Sequence, residues 1–335
     1  MARRGEVVIR RLRPGDGNGL ATLLSTAFAE EFAGAGTDAA AVQRQVRASS
    51  WAQTPGIRHL MALLGARFAY FVAVCRGRVV GSTAIGGGRL LTISSVAVLP
   101  EFRGLGIAHA LMERAHRFAL EHGRDRVVLD VLAHNTPALR LYERLGYEEY
   151  HRFHAYELPL PHIRGIAATP HAYWLEPVTP RRAAAFGAVE RASLPARYFE
   201  VVPTLRDRYI RSGASRRLEG LLGGVRTHRR VLVHDGRTAG FLLTTVVAGQ
   251  AEGRIDLPLV LPQATDGLTG ALVDAVRFVE ETGRYRLRLD ISHDRSAQQA
   301  TAEALGFHRR WTYVQMVRRL STPLRIPVRV IGNRE

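Results

Sequence analysis

The apolar positions change period along the chain in a way that predicts alternating strands and helices. Val7 to Asp16 reads as a strand and turn, with Asp16 a helix cap before a stripe of Leu20, Leu23, Leu24, Ala27 and Phe28. A second helix is expected from Asp38 to about Ser50. Phe68–Cys75 and Val79–Ile85 form a hairpin pattern around Gly77, and Leu90–Val98 reads as the next strand. From Leu105 the spacing becomes helical through Ala108, Leu111, Met112, Ala115, Phe118 and Ala119, until Gly123 ends it. Arg126–Leu132 is apolar enough for a central strand parallel to its predecessor. Thr136 as cap, Pro137 in the first turn and Gly146 as stop predict a short helix, and Glu149–Leu158 closes the first domain as a strand. Pro159–His171, rich in proline and small residues, reads as a linker.

The second half repeats the first. Val98-Leu-Pro100 recurs as Val260-Leu-Pro262, Gly77-Arg-Val-Val-Gly81 as Gly236-Arg-Thr-Ala-Gly240, Leu129-Asp130 as Leu289-Asp290, and Leu145-Gly-Tyr147 as Leu305-Gly-Phe307. Asp130 to Gly146 spans 16 positions, as does Asp290 to Gly306. Conserved order and spacing mark a duplicated fold. The chemistry is not duplicated. Glu101-Phe-Arg-Gly-Leu-Gly106 is replaced by Gln263-Ala-Thr-Asp-Gly-Leu-Thr-Gly270, so the arginine is gone and Asp266 adds a negative charge. Ala302 stands for Tyr142 and Arg295 for Asn135.

The richest stretch is Val96-Ala-Val-Leu-Pro-Glu-Phe-Arg-Gly-Leu-Gly-Ile-Ala108. A helix that opens with glycines has bare backbone N–H groups at the positive end of its dipole, and Arg103 adds charge at the rim. Such a turn cradles a phosphate or pyrophosphate. A P-loop is excluded, because no Gly-Lys-Ser/Thr follows and the chain has no lysine. A dinucleotide fingerprint wants a small residue where His109 stands. Three readings stay open on the residues alone: a phosphate or pyrophosphate cradle that uses the arginine, the dinucleotide fingerprint weakened by His109, and a glycine-rich turn without a ligand.

Arg103-x-x-Gly106-x-Ala108 in this context resembles the acyl-CoA loop of the GCN5-related N-acetyltransferase (GNAT) family. Asn135 followed by Leu141-Tyr-Glu and Leu145-Gly-Tyr147 is similar to that family's second signature. The resemblance covers about residues 7–158, and the duplication makes the whole chain similar to tandem-GNAT proteins. It implies an α+β fold class: two tandem acyl-CoA N-acyltransferase folds, each a mostly antiparallel mixed sheet with a central parallel pair flanked by helices. The domains are then 1–158, catalytic; 159–172, linker; and 173–335, a degenerate copy without the cofactor motif. By resemblance acetyl-CoA is the cofactor, held by Val96, Ala97, Val98, Arg103, Gly104, Leu105, Gly106, Ile107, Ala108 and Asn135. Tyr142 is the implied catalytic acid. Many family members carry a carboxylate on the strand before the loop as base. Leu91-Thr-Ile-Ser-Ser-Val96 has none, which leaves Glu30, Glu31, His134, His151 and His154 as candidates.

Composition narrows the rest. A chain of 335 residues, 46% hydrophobic, is long enough for two cores. No apolar run reaches the roughly 20 residues that span a bilayer, and the N-terminus lacks a signal-peptide core, so the expected location is the cytoplasm, with no membrane partner. One cysteine, Cys75, rules out an internal disulfide framework and a cysteine-based zinc site, and no metal is expected. All 47 basic residues are arginine and the formal net charge is +17, but the arginines are spread rather than clustered with aromatics, which argues against a nucleic-acid partner. The leading expectation is acetyl transfer to a primary amine of a small-molecule acceptor by direct attack in a ternary complex. A non-catalytic acyl-CoA-binding or sensing module, and an acetyltransferase of a protein N-terminus or ribosome-associated protein, are the alternatives. The second domain would pack on the first, shape the acceptor cleft or support a homodimer.

Overall fold

A computed structural model describes residues 7–29, 67–160, 173–210, 224–248 and 250–320. The helix expected over 38–50 lies outside the described residues, as does the linker from residue 161 to 172. The front half runs β1 (Val7–Arg11), α1 (Gly17–Ala27), β2 (Arg67–Cys75), β3 (Arg78–Gly87), β4 (Leu91–Val98), α2 (Ile107–Glu121), β5 (Arg126–Leu132), α3 (Thr136–Arg144) and β6 (Glu148–Pro159). The rear half runs β7 (Tyr173–Pro177), α4 (Phe186–Ser193), β8 (Val225–His234), β9 (Arg237–Val247), β10 (Glu252–Ile255), β11 (Leu259–Val260), α5 (Leu268–Glu281), β12 (Arg286–Ser292), α6 (Ser296–Ala304) and β13 (His308–Arg319).

The chain forms two compact units that do not follow a single cut. Unit 1 takes the described residues of Met1–Val131, Asn135–Glu148 and Met316–Glu335, and unit 2 those of Leu132–His134 and Glu149–Gln315. The sheet of unit 1 is ordered β1-β2-β3-β4-β5, antiparallel except for the parallel pair β4–β5. That of unit 2 is ordered β13-β6-β12-β10-β9-β8-β7, with β11 on β9 and a parallel pair β10–β12. The sequence pattern places β6 at the end of the front sheet. In the structure it pairs with β12 from Phe153 to Pro159. The end of β13 belongs in turn to unit 1, where the Leu320 N–H donates to the Asp125 carbonyl at 2.6 Å. The two strands are counterparts in the repeat, and the buried positions near their ends match, Tyr156 and Leu158 in β6 against Met316 and Arg318 in β13.

The duplication is visible in backbone detail. The hairpin turns Arg76-Gly77 and Asp235-Gly236 share left-handed φ pairs of 48°/78° and 47°/74°. Matching bulges fall between Ala73/Val74 and Leu232/Val233. A Cβ on Gly81 would stand 3.1 Å from the Ala97 carbonyl oxygen, and one on Gly240 3.0 Å from that of Leu259. In both halves a glycine therefore lets neighbouring backbone come close.

In unit 1 the stripe of α2 is buried as expected: Leu111, Met112, Ala115, Phe118 and Ala119 turn inward, with Phe118 edge-on to Phe71 at 6.1 Å. Leu20, Leu23 and Leu24 of α1 are buried too. Asp16 precedes α1, but its carboxylate makes no cap bond. It pairs with Arg10 at 2.6 Å and accepts from the Arg13 N–H at 2.7 Å, closing the turn before the helix.

The tight fit at Gly81 is testable. Its added Cβ would also meet Ile107 Cγ2 and Leu111 Cδ1 at 3.1 Å. Gly81→Val is expected to cost about 1–3 kcal/mol of unfolding free energy in a urea titration. Gly15→Ala, with nothing within 4 Å of its Cβ, should stay within about 0.5 kcal/mol of wild type.

Candidate functional site

Where β4 and β5 run parallel, the ladder holds for three residue pairs, Leu91↔Val127, Thr92↔Val128 and Ile93↔Leu129. Beyond Ile93, β4 continues to Val98 while still paired on its other side, Ala97 to Ser82 and Val98 to Gly81. The strands part at a bulge: the β3–β4 register shifts between Ser82 and Ala84, and Ser95 adopts φ +53°. A serine in that left-handed region is strained. It is held by the Ser82 hydroxyl, which donates to the Ser95 carbonyl at 2.8 Å. Val96, Ala97 and Val98 thus line the side of β4 that leaves β5.

The loop follows directly. Pro100–Phe102 makes one 3₁₀ turn, closed by the Arg103 N–H on the Pro100 carbonyl at 3.2 Å. Gly104 and Gly106 take φ +75° and +77°, and Gly106 is the N-cap of α2. Left-handed geometry at both positions suits only glycine without cost. It turns the chain so that the first-turn N–H groups at Ile107, Ala108 and His109, which have no acceptor within the helix, face outward. A Cβ on Gly104 would find nothing within 4 Å, so the space over the loop is open. Arg103 is exposed, and its Nε donates to the Val98 carbonyl at 3.3 Å, tying the loop to the end of β4. Ile107 is buried and anchors the helix start.

Asn135 is the cap of α3, one residue earlier than the cap read from the sequence at Thr136. Its side-chain oxygen accepts from the Ala138 N–H at 3.2 Å. Tyr142, on α3, is buried in unit 1, and burial pushes its phenol up to about 12. Its ring lies 5.8 Å from that of Tyr147, whose hydroxyl meets Nε2 of His116 on α2 at 2.8 Å. Tyr142 is thereby linked through packed side chains to the helix whose first turn is the cradle.

Residues 37–147 match the model of the Acetyltransferase (GNAT) family. The fold of the full length is that of tandem GNAT proteins. The chain superposes on a tandem GNAT protein from the clavulanic acid biosynthesis pathway with a TM-score of 0.62, at 20% identity, covering 95% of this chain and 99% of that one. It superposes on a GCN5-related N-acetyltransferase from Sphaerobacter thermophilus with a TM-score of 0.65, at 18% identity, covering 97% and 98%. No helix among the described residues is long and apolar enough to cross a membrane.

The rear GNAT fold lacks the cradle geometry. Gly267, at the start of α5, has φ −69°, and a Cβ there would lie 2.5 Å from the ring of Tyr173. The tyrosine ring covers the helix start. The counterpart of β4 is also broken, into β10 and β11, by Asp256-Leu-Pro258.

None of the described base candidates belongs to the unit that holds Tyr142. Glu30 and Glu31 lie outside the described residues. His134, His151 and His154 belong to unit 2. His151 is bonded at both ring nitrogens, to Gln315 and Ser292, and His154 is bonded to Thr312. Burial lowers the pKa of both.

Sequence reasoning missed a buried polar cluster on α2. Arg318, from β13, donates to His116 Nδ1 at 2.8 Å and to Glu113 Oε1 at 3.4 Å. Only the position of His116 in the buried stripe, four after Met112, could have signalled it. The hydrogen bond that His116 offers once it is protonated at acid pH, with Arg318 nearby, holds the Glu113 carboxyl at about 2 instead of the ordinary 4.5. Burial lowers His116 below its ordinary 6.5. Both folded values lie below the unfolded ones, so both groups contribute fully above the ordinary values and lose that contribution as pH falls. His116 acts first, below 6.5, and Glu113 between 4.5 and about 2. Unfolding free energy measured against pH should fall through the lower window in wild type. Glu113→Gln should flatten that part of the curve.

Proposed function

We propose that the front GNAT domain is an acetyl-CoA-dependent N-acetyltransferase that acetylates a primary amine of a small molecule by direct attack in a ternary complex. One observation carries the reading: a single compact unit holds a left-handed glycine turn at the start of α2, a strand edge opened before it, and a buried tyrosine packed through Tyr147 and His116 onto the same helix. The residues fit the cofactor. The space beside Gly104 is open, and the donors offered there are backbone N–H groups and an arginine, which suit a diphosphate.

In this reading the amides of Gly104 to Ala108, with Arg103 at the rim, hold the pyrophosphate. Val96, Ala97 and Val98 offer their unpaired strand edge to the pantetheine arm, with a backbone N–H there as donor to the carbonyl oxygen. Asn135 fixes the start of α3 and so the approach of Tyr142. When bound, acetyl-CoA supplies a thioester ready for acyl transfer. Tyr142 Oη keeps its proton at neutral pH, since its pKa stands near 12. Tyr142 would therefore act as a hydrogen-bond donor that stabilises a departing thiolate, whose thiol has a pKa of about 8.5, as its bond to carbon breaks. The rear half is a retained fold without a cofactor site.

The absence of a carboxylate on β4 favours one other reading, a non-catalytic acyl-CoA-binding module. Turnover of acetyl-CoA against a panel of amines separates the two. Acetyltransfer in wild type is expected, with Tyr142→Phe lowering kcat about 100-fold and leaving KM for acetyl-CoA within about twofold. Binding without turnover on any amine, and no change in Tyr142→Phe, would favour the binding module.

A further inference from the structure

The cluster of Glu113, His116, Tyr147 and Arg318 is more than the fold requires. The repeat supplies an internal control. The positions matching His116, Tyr147 and Arg318 in the rear half are Val276, Phe307 and Leu158, counted from the shared glycines Gly123/Gly283 and Gly146/Gly306. Glu113 matches Val273. Val276, Phe307 and Leu158 are 3%, 3% and 2% exposed, and all three sit in one hydrophobic core. The same fold therefore packs these positions with hydrocarbon. Polar groups buried in their place cost desolvation that an apolar set avoids. The front half retains them alongside the two features the rear half lacks, the left-handed glycine pair and Tyr142.

The geometry gives the cluster a direction. An arginine can only donate hydrogen bonds, so the Nδ1 that meets Arg318 must be the acceptor nitrogen of a neutral imidazole. The ring proton then sits on Nε2 and is donated to Tyr147 Oη at 2.8 Å. Tyr147 packs 5.7 Å from the His116 ring on one side and 5.8 Å from the Tyr142 ring on the other. Its backbone N–H also donates to the Tyr142 carbonyl at 2.9 Å. Each member is thus held by the one before it, starting from a guanidinium 202 residues away along the chain.

We propose that Arg318, on the last described strand, is a positioning residue for the acyl transfer of the front half: it fixes the tautomer of His116, through it the hydroxyl of Tyr147, and so the ring of Tyr142. The inference rests on the role given to Tyr142 above. The charged and titratable groups facing His116 are Glu113 and His109 on its own helix, Arg318, and Tyr147. Without Arg318, Glu113 alone remains close to Nδ1, at 3.5 Å. The imidazole then takes up a proton at higher pH, and its single tautomer is lost.

The test uses the full chain as Arg318→Met, Arg318→Lys, Tyr142→Phe and the double variant Arg318→Met/Tyr142→Phe. Arg318→Met should lower kcat about tenfold with KM for acetyl-CoA within about twofold, and the lysine should restore part of the loss. The acid limb of the kcat profile should move to higher pH in Arg318→Met. The His116 ring resonance, identified by its loss in His116→Gln, should follow the same shift in a ¹⁵N-histidine titration. In the Tyr142→Phe background, removing Arg318 should have no further effect on kcat, whereas a purely structural role would multiply the two losses. If Arg318→Met does not fold, Arg318→Lys carries the same comparison. An unchanged profile, or multiplying losses, with Tyr142→Phe impaired on its own, overturns this inference alone. A silent Tyr142→Phe overturns the catalytic reading of Tyr142 and this route with it.

Discussion

In the proposed reading, two residues in left-handed backbone, Gly104 and Gly106, set what the front half can bind. They help turn the chain from the end of β4 into α2 across the eight residues between Val98 and Ile107. Such a helix start must satisfy its N–H groups with water or an anion. The other local features follow from that turn. Arg103 is folded back onto Val98, Ile107 is pinned in the core, and Gly81 gives way so that α2 can press on the sheet. The parting of β4 from β5 at the Ser95 bulge sets an open strand edge next to the cradle.

The rear half shows what remains when the turn is removed. It keeps the hairpins, the parallel pair, the close-approach glycine and the helix stops, so none of these depends on a ligand. It differs where the front half has chemistry. Gly267 is right-handed, Tyr173 lies over the helix start, and the strand counterpart is interrupted at Pro258. A salt-bridged network occupies the end of its parallel pair instead. Asp290, 2% exposed, is held between Arg254 and Arg288, and Asp256 pairs with Arg208 and Arg254. In the proposed reading, fold and cofactor chemistry are separable within one chain.

Most of the fold was legible in the residues because it rests on local signals. The stripe Leu111, Met112, Ala115, Phe118 and Ala119 was read as one helical face and is buried as one. The hairpin at Gly77 and the stop at Gly146 announced themselves by residue type. The exchange of β6 and β13 was not legible, because the two strands are counterparts in the repeat and occupy the same place in it. Which sheet each joins is decided by distant partners. The cap of α3 fell on Asn135 instead of Thr136, since either side chain can accept from the first turn. Of the site, the loop was readable because glycine spacing encodes backbone geometry directly. The Ser95 bulge was not, because serine carries no mark of a positive φ. The bond from Arg318 to His116 joins residues 202 apart, beyond any local pattern.

The claim at the centre is that one diphosphate-binding cradle exists per chain and that the glycine pair makes it. Isothermal titration of the full-length protein with coenzyme A tests this directly. One equivalent should bind per chain, and Gly106→Glu, with its carboxylate over the amides, should abolish the heat while thermal unfolding still shows a folded protein. Two equivalents per chain, or undiminished binding in Gly106→Glu, would contradict it.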